Sequence, residues 1–324
     1  MQKLVHSPPS QVLGATRRFL PAVAAAFTLA SAVAVTTVGA SAASGNRATA
    51  VRQPPAPERL VFSSERDGNQ DIYLANLDGS GLRRLTSHPA PDLIPRCSPD
   101  GRHVVFLRGG FTENGEIYRL DLVTGEERRL TDNAVRDSTP QWSADGRRIF
   151  FTRRVGQYDR IAVMNADGTG LSDLTSAAWH DTMPGVSPDG RTLVHHTYRY
   201  GRETELHLLD VVSGVSSRLT AAAGYDYEAS FAGRDRVVFS SNRAGGHYRL
   251  YTTSLADGSV SLLADVGVDA WGSRYSSHSH AVAFSAGREG AWRLMTVDVN
   301  GGVVRPLIPD GFSNSSPDWC QARQ

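Results

Sequence analysis

Lysine is all but missing from this chain: Lys3 is the only one among 34 basic residues, a bias of base composition rather than chemistry. Catalytic signatures are missing too. There is no Gly-x-Ser-x-Gly elbow, no His-Glu-x-x-His helix, no phosphate-binding loop and no dinucleotide fingerprint, so the usual motif supports for an enzyme are gone. Charge of one sign is also absent. Three of the 34 bases lie in residues 1–42, a stretch without acids, so the remainder carries 31 bases against 33 acids, about −2. That balance excludes a phosphate-binding surface and with it a nucleic-acid partner. Cysteine is limited to Cys97 and Cys320.

What is present begins with an export signal. Arg17 and Arg18 precede an apolar stretch diluted by Ser and Thr, and small residues follow at Ala40-Ser41-Ala42, the pattern of a cleaved secretory signal peptide. Thr16-Arg17-Arg18-Phe19-Leu20 partly resembles a twin-arginine motif, with Pro21 where an apolar residue is usual. The alternative is a retained membrane anchor, the one route to a membrane; no cysteine follows for a lipid anchor. We therefore expect a signal peptide over 1–42, a Pro-containing flexible linker over 43–57 and a domain over 58–324, placed in the cell envelope or outside the cell.

The domain is a repeat. "CSPDGRHVVF", "WSADGRRIFF" and "VSPDGRTLVH" write the same hairpin at residues 97, 142 and 186. Each unit ends in a Leu-Thr-like pair, at Leu85, Leu130, Leu174, Leu219, Leu263 and Leu307, in steps of 44 or 45 residues. Within a unit four short strands are separated by Asp-Gly-type turns, as at Asp78-Gly79, Asp167-Gly168 and Asp257-Gly258. Four strands at this period predict an all-β fold, a β-propeller of four-stranded blades. The first unit has only its last three strands, while the chain ends in "NSSPDWC", which matches the first-strand pattern of the others. The C-terminal strand is thus expected to complete the N-terminal blade, making six blades and a closed ring without an exposed edge.

Ser-Pro-Asp-Gly after Pro-x-Trp, the "DIY" strand and the terminal Leu-Thr resemble the repeats of the TolB-type six-bladed propeller over about 58–324. That resemblance implies the fold; it constrains function less, because such blades occur in binding proteins and beside enzymes. TolB-type proteins carry an α/β domain before the propeller, where this sequence has the short linker. Prolyl oligopeptidase relatives set a similar propeller beside a hydrolase domain that this sequence does not contain. Oligogalacturonate lyases resemble the fold and hold a metal with channel histidines, whereas here only His180 and His88 approach the mouth.

Cys97 occupies the tryptophan slot of blade two's inner strand, and Cys320 lies one residue past that slot in the strand closing blade one. The offset lets the side chains meet across neighbouring blades, so a disulfide is expected, the alternative being two buried thiols. Connections at the channel mouth carry Asp92, Asp137, Asp181 and Asp226 at one slot, with Asn314 in the last unit and Asp269 one residue off. Either this ring binds a cation such as calcium, or a cationic or hydroxyl-rich ligand, or each Asp caps its own turn or pairs with an arginine; Arg66, Arg199, Arg243 and Arg288 recur on the same face. Trp179, His180, Tyr225, Tyr227, Trp271 and Phe312 gather in the same connections, either as a platform for a sugar ring or peptide side chain or as packing between blades.

His195 and His207 replace a core phenylalanine and tyrosine of other blades and, with His196, cluster in blade four. They are expected to be satisfied core residues rather than metal ligands. The Ser-Pro-Asp-Gly turns are structural. Taken together, the residues predict a secreted, non-catalytic, cofactor-free monomer binding a protein segment or envelope glycan at its mouth. Two alternatives remain: a metal-dependent, lyase-like carbohydrate-active enzyme using Asp92, Asp137, Asp181 and His180, and a scaffold whose channel is inert.

Overall fold

The computed structural model describes residues 58–321 apart from 112–114, 177, 200–202 and 222–223; the expected signal peptide and linker lie outside the described residues. Six four-stranded antiparallel sheets form the blades, and no helix occurs among the described residues. The inner strands are Asp92–Cys97, Asp137–Trp142, Asp181–Val186, Asp226–Phe231, Asp269–Tyr275 and, for blade one, Asn314–Gln321. That last strand pairs with Glu58–Ser64, setting Glu58 opposite Gln321 and Leu60 opposite Trp319. The expected closure is therefore the observed one. The outer strands are shorter than their sequence pattern suggests, only two or three residues in five blades and five in Val260–Ala264.

The repeated letters have local causes. In Leu-Thr, the threonine hydroxyl accepts a backbone N–H from the third strand: Ile72 to Thr86 at 3.0 Å, Ile117 to Thr131 at 2.9 Å, Ile161 to Thr175 at 3.1 Å and Leu206 to Thr220 at 3.0 Å. This ties the outer connection to the sheet where the short outer strand supplies few ladder bonds. In Ser-Pro-Asp-Gly, Ser98 donates to Asp100 at 2.6 Å and accepts the His103 N–H at 2.9 Å, and Ser143 and Ser187 repeat the arrangement. Phe62–Tyr73, Phe106–Tyr118 and Phe239–Tyr251 stack at about 6 Å within their blades, each pair capped by an arginine guanidinium from Arg66, Arg108 or Arg243.

Every inner strand is bulged two or three residues after its first residue, and the bulged positions stand at positive φ: Ile94, Thr139, Met183, Glu228, Gly272 and Ser316. A bulge re-aims a side chain, and these six residues line the central channel with Arg96, Arg274 and three neighbours. The constriction encloses only about 30 Å³, room for a few waters. That is too small for a peptide or a sugar ring.

Adjacent blades are latched at one slot. Trp142 donates its indole N–H to the Arg96 carbonyl at 3.0 Å, and Trp319 donates to the Arg274 carbonyl at 2.8 Å. Blade two has Cys97 in this slot. There the Cys97 N–H bonds Asp318 at 2.9 Å and the sulfur bonds Cys320, Cα to Cα 5.3 Å. The expected disulfide is present and joins the closing strand to blade two. Asp318 stands between Arg96 and Arg274 of the flanking blades; burial, reinforced by Arg274, brings Arg96 down to about 9, and burial raises Asp318 against their pull.

Gly101 packs against the closing strand. A Cβ there would lie 2.2 Å from the Gln321 carbonyl oxygen at φ +66, whereas the matching Gly146 at φ +68 has only Pro99 at 3.6 Å. Gly101→Ala is expected to cost about 3 kcal/mol or more and Gly146→Ala only the backbone strain of about 1 kcal/mol. Chemical denaturation of both variants checks the order; equal losses would contradict the contact.

Candidate functional site

The mouth is built from the connections into the inner strands and from the hairpins between second and third strands. Asp92, Asp137 and Asp181 have no exposed surface and Asp226 only 2%. Arg108 grips both Asp92 oxygens, at 2.7 and 2.8 Å. Asp137 accepts from Asn133 at 2.7 Å and lies 3.6 Å from Arg153. Asp181 pairs with Arg199 at 2.9 Å, and Asp226 with Arg243 at 2.8 Å and Ser241 at 2.6 Å. Asn314 takes the Arg66 guanidinium at 3.0 Å, and Asp269 accepts the Tyr248 N–H at 2.9 Å.

Arg66, Arg199 and Arg243 thus do what their recurrence suggested. In blades two and three the arginine has moved two residues back into the strand, to Arg108 and Arg153, and still faces the same acid. The acids are anchors that hold each connection to its own blade. They are buried and turned to Arg108, Arg153, Arg199 and Arg243 rather than displayed at the surface, and among the described residues no three His, Cys, Asp or Glu side chains are grouped to hold a metal. Burial pushes the Asp137 carboxyl up to about 6 against Asn133 and Arg153. For Asp181 burial is outweighed by His195, Thr197 and Arg199, which hold it below the usual range.

The aromatic residues behave differently. A chain of ring contacts runs from Tyr158 through His180 (5.4 Å) and Tyr198 (5.9 Å). The Tyr198 and Tyr227 hydroxyls lie 3.1 Å apart, and the chain continues to Tyr248 (6.0 Å) and Trp271, which is 4.1 Å from Tyr248 and 5.8 Å from Tyr227. Tyr225 lies parallel to Tyr227 at 6.0 Å, and His196 meets Tyr227 edge-on at 4.8 Å. This belt crosses blades three to six on the mouth face. Its tyrosines and Trp271 are half-buried, and Trp179 beside it is 43% exposed. Burial first, then the bond with Tyr198, raises the Tyr227 hydroxyl well above the ordinary tyrosine range, so it stays protonated.

His180 is positioned by Asp159, 3.1 Å from its Nδ1, and Asp159 is itself held by Arg136 at 2.9 Å and Arg154 at 3.1 Å. Burial would raise Asp159, but His180 and these two arginines bring it below its usual range. Phe312 stands apart, exposed over the Arg66 guanidinium at 5.1 Å. His88 accepts its own loop's Ala90 N–H at 3.0 Å. Tyr158, Tyr198, Tyr248 and Asp159 were not singled out from sequence. Tyr198 lies beside Arg199 and Tyr248 on the hairpin of Arg243, and that shared position was the available signal; Tyr158 and Asp159 lie on the blade-three hairpin, which has Val155 at the arginine slot.

His195 and His207 face each other at 5.9 Å in the core of blade four, with His195 Nδ1 at 3.8 Å from Asp181 and His207 Nδ1 at 3.0 Å from Ser216. His196 bonds Thr182 at 2.5 Å. All three are core residues, as expected, but they are not fully satisfied: His195 Nε2 and His196 Nδ1 are buried without a hydrogen-bond partner among the described residues.

A family model for the TolB beta propeller domain (PD40) matches residues 30–203. A TolB homolog from Chlorobium luteolum is 27% identical over 155 residues, 48% of this chain and 35% of the relative, so the match spans about a third of that protein. Among solved structures, TolB from Acinetobacter baumannii superposes with a TM-score of 0.72 at 20% identity, over 81% of this chain and 66% of that one. A prolyl endopeptidase structure has a TM-score of 0.53 at 13% identity, over 80% of this chain and 44% of that one. At these identities the superpositions establish the fold.

Proposed function

Because the chain belongs to the TolB β-propeller family, we propose that it is an extracytoplasmic, non-catalytic propeller that binds a protein segment on the aromatic sector of its channel mouth. The observation that carries this is the belt from Tyr158 to Trp271: connected, half-buried rings on one side of one face. Such rings give large contact area at little cost in side-chain entropy and anchor protein interfaces. A belt that crosses four blades suits an extended segment better than one sugar ring. In this reading Trp179, Tyr225 and Trp271 touch the partner, while Tyr198 and Tyr227 form the floor. His180 is a polar contact fixed by Asp159, and Asp92, Asp137, Asp181 and Asp226 keep the connections in place. The Cys97–Cys320 bridge supports an oxidising compartment.

The test is capture from an envelope extract with wild type and with a Trp179→Ala/Tyr225→Ala variant. We expect the captured partner's affinity to fall by about 30-fold or more, the loss of roughly 2 kcal/mol typical of an anchor residue, with thermal stability unchanged. Undiminished binding by a folded double variant would remove the mouth as the site.

A further inference from the structure

The opposite face holds a pocket of its own. Inner strands begin at the mouth and end at the Ser-Pro-Asp-Gly turns, and between two of these turns, those of blades two and three, lies a cavity of about 350 Å³. Trp142 forms its floor, His103 and Arg119 one side, and Asp100 and Asp145 the rim. Cavities of this size accept small ligands.

The ring provides five internal controls. Where blade two has Arg119, the other blades have Leu74, Val163, Leu208, Thr252 and Thr296, the residues at the same register. Where it has His103, they have Arg59, Arg148, Thr192, Arg236 and Ala281. A second tryptophan, Trp319, occupies the floor slot between blades six and one, but Thr296 and Ala281 stand beside it. Only one gap combines indole, imidazole and guanidinium, and nothing in the packing of a blade calls for the last two.

Their bonds show what is left for a ligand. Arg119 spends Nη1 on the Ala166 carbonyl across the gap at 2.7 Å, which fixes its guanidinium over the pocket. Trp142 spends its N–H on the Arg96 carbonyl and is almost wholly buried, so it closes the base of the pocket and shows it only a small part of its indole, with its ring 6.3 Å from that of His103. His103 Nε2 stands 3.5 Å from Asp121. Asp100 and Asp145 each use one oxygen on their own turns, in bonds from Ser98 and Ser143 at 2.6 and 2.5 Å. Two acids beside one guanidinium repel a phosphate, and an arginine on the wall repels a cation. Fixed donors and acceptors around an aromatic surface match vicinal hydroxyls on a ring with an apolar face.

We propose that the pocket between blades two and three binds a neutral hexose unit, with Arg119, His103 and the Asp100 and Asp145 carboxylates on its hydroxyls and Trp142 beneath its ring. The site is independent of the mouth.

The test is calorimetric titration of the full chain with glucose, galactose, mannose and N-acetylglucosamine, and with inorganic phosphate as the anionic probe. At least one sugar is expected to bind with a Kd of about 1 mM or tighter, and phosphate is not. Arg119→Leu, the residue present in blades one and four, and His103→Thr, the residue in blade four, should each weaken that sugar by about tenfold or more. Both should keep the wild-type melting temperature, and Trp179→Ala at the mouth should bind the sugar normally. Failure of all four sugars, preference for phosphate, or a sugar affinity indifferent to both pocket variants would overturn the proposal.

Discussion

Replacing both cysteines, Cys97→Ala with Cys320→Ala, is expected to lower the unfolding free energy by about 5 kcal/mol. The bridge spans 223 residues and joins the last strand of the ring to blade two, and loop-closure entropy grows with the loop that is closed. For a domain of this size that corresponds to a fall in melting temperature of about 10 °C or more. Reductant should lower wild type to the level of the double variant and leave the variant where it is. The remaining closure contacts, Trp319 on the Arg274 carbonyl and Ser276 on Glu58, predict that the reduced ring still folds. Thermal melts with and without reductant check this, and an oxidised wild type no more stable than the double variant would contradict it.

The second large effect is in acid. Blade four has His195 and His207 where other blades stack phenylalanine on tyrosine, and both are buried, as is His196. Burial, then the neighbouring His195, holds His207 down to about 4 and His196 down to about 3; His195 is lowered by burial against the pull of Asp181. Asp181, Arg199, Arg218 and Asp159 are the charged groups that act on these rings.

A folded pKa below the unfolded value of about 6.5 means that the unfolded chain binds more protons on acidification. The stability is complete above about 6.5 and is lost as pH falls toward 4. His207 alone contributes on the order of 3 kcal/mol of this loss by pH 4. His195→Phe with His207→Tyr installs the pairing of blades one, two and five and should match wild type near pH 8 while exceeding it by about 3 kcal/mol or more at pH 4.

Asp137 works in the other direction. Its folded value of about 6 lies above the unfolded one, so its contribution is present in acid and lost as pH rises through 6. Both proteins keep Asp137, so their difference at each pH cancels it. Urea titrations from pH 4 to 8 check the prediction, and parallel stability curves would contradict it.

The sequence made the fold legible because its repeated letters each close a bond within a few residues or one strand away. Thr86, Thr131, Thr175 and Thr220 cap the third strands, and Ser98, Ser143 and Ser187 close the turns, so the same physics recurs at each step. The incomplete first unit and the surplus last strand then specified the closure, and the one-residue cysteine offset its bridge.

The site was less legible. Five of the six channel bulges carry a residue other than glycine at positive φ, so no local letter marks where the strand re-aims its side chains. For the same reason Arg96, Arg274 and Glu228 gave no sign of sharing one constriction. The acidic ring was visible, yet whether an acid is displayed or buried depends on an arginine that slides between hairpin and strand, as Arg108 and Arg153 do. Tyr198 and Tyr248 of the aromatic belt come from the hairpins of Arg199 and Arg243, and Tyr158 from the blade-three hairpin, which has Val155 at the arginine slot and no repeated letter to mark it.

Closure of the ring underlies the mouth, the pocket on the far face and the bridge alike. Amide hydrogen exchange across Ser315–Gln321 tests it directly. Paired to Glu58–Ser64, these amides are predicted to exchange as slowly as those of the blade-three inner strand, Asp137–Trp142. Exchange at the rate of a free chain end would contradict the closed wheel and everything placed on its two faces.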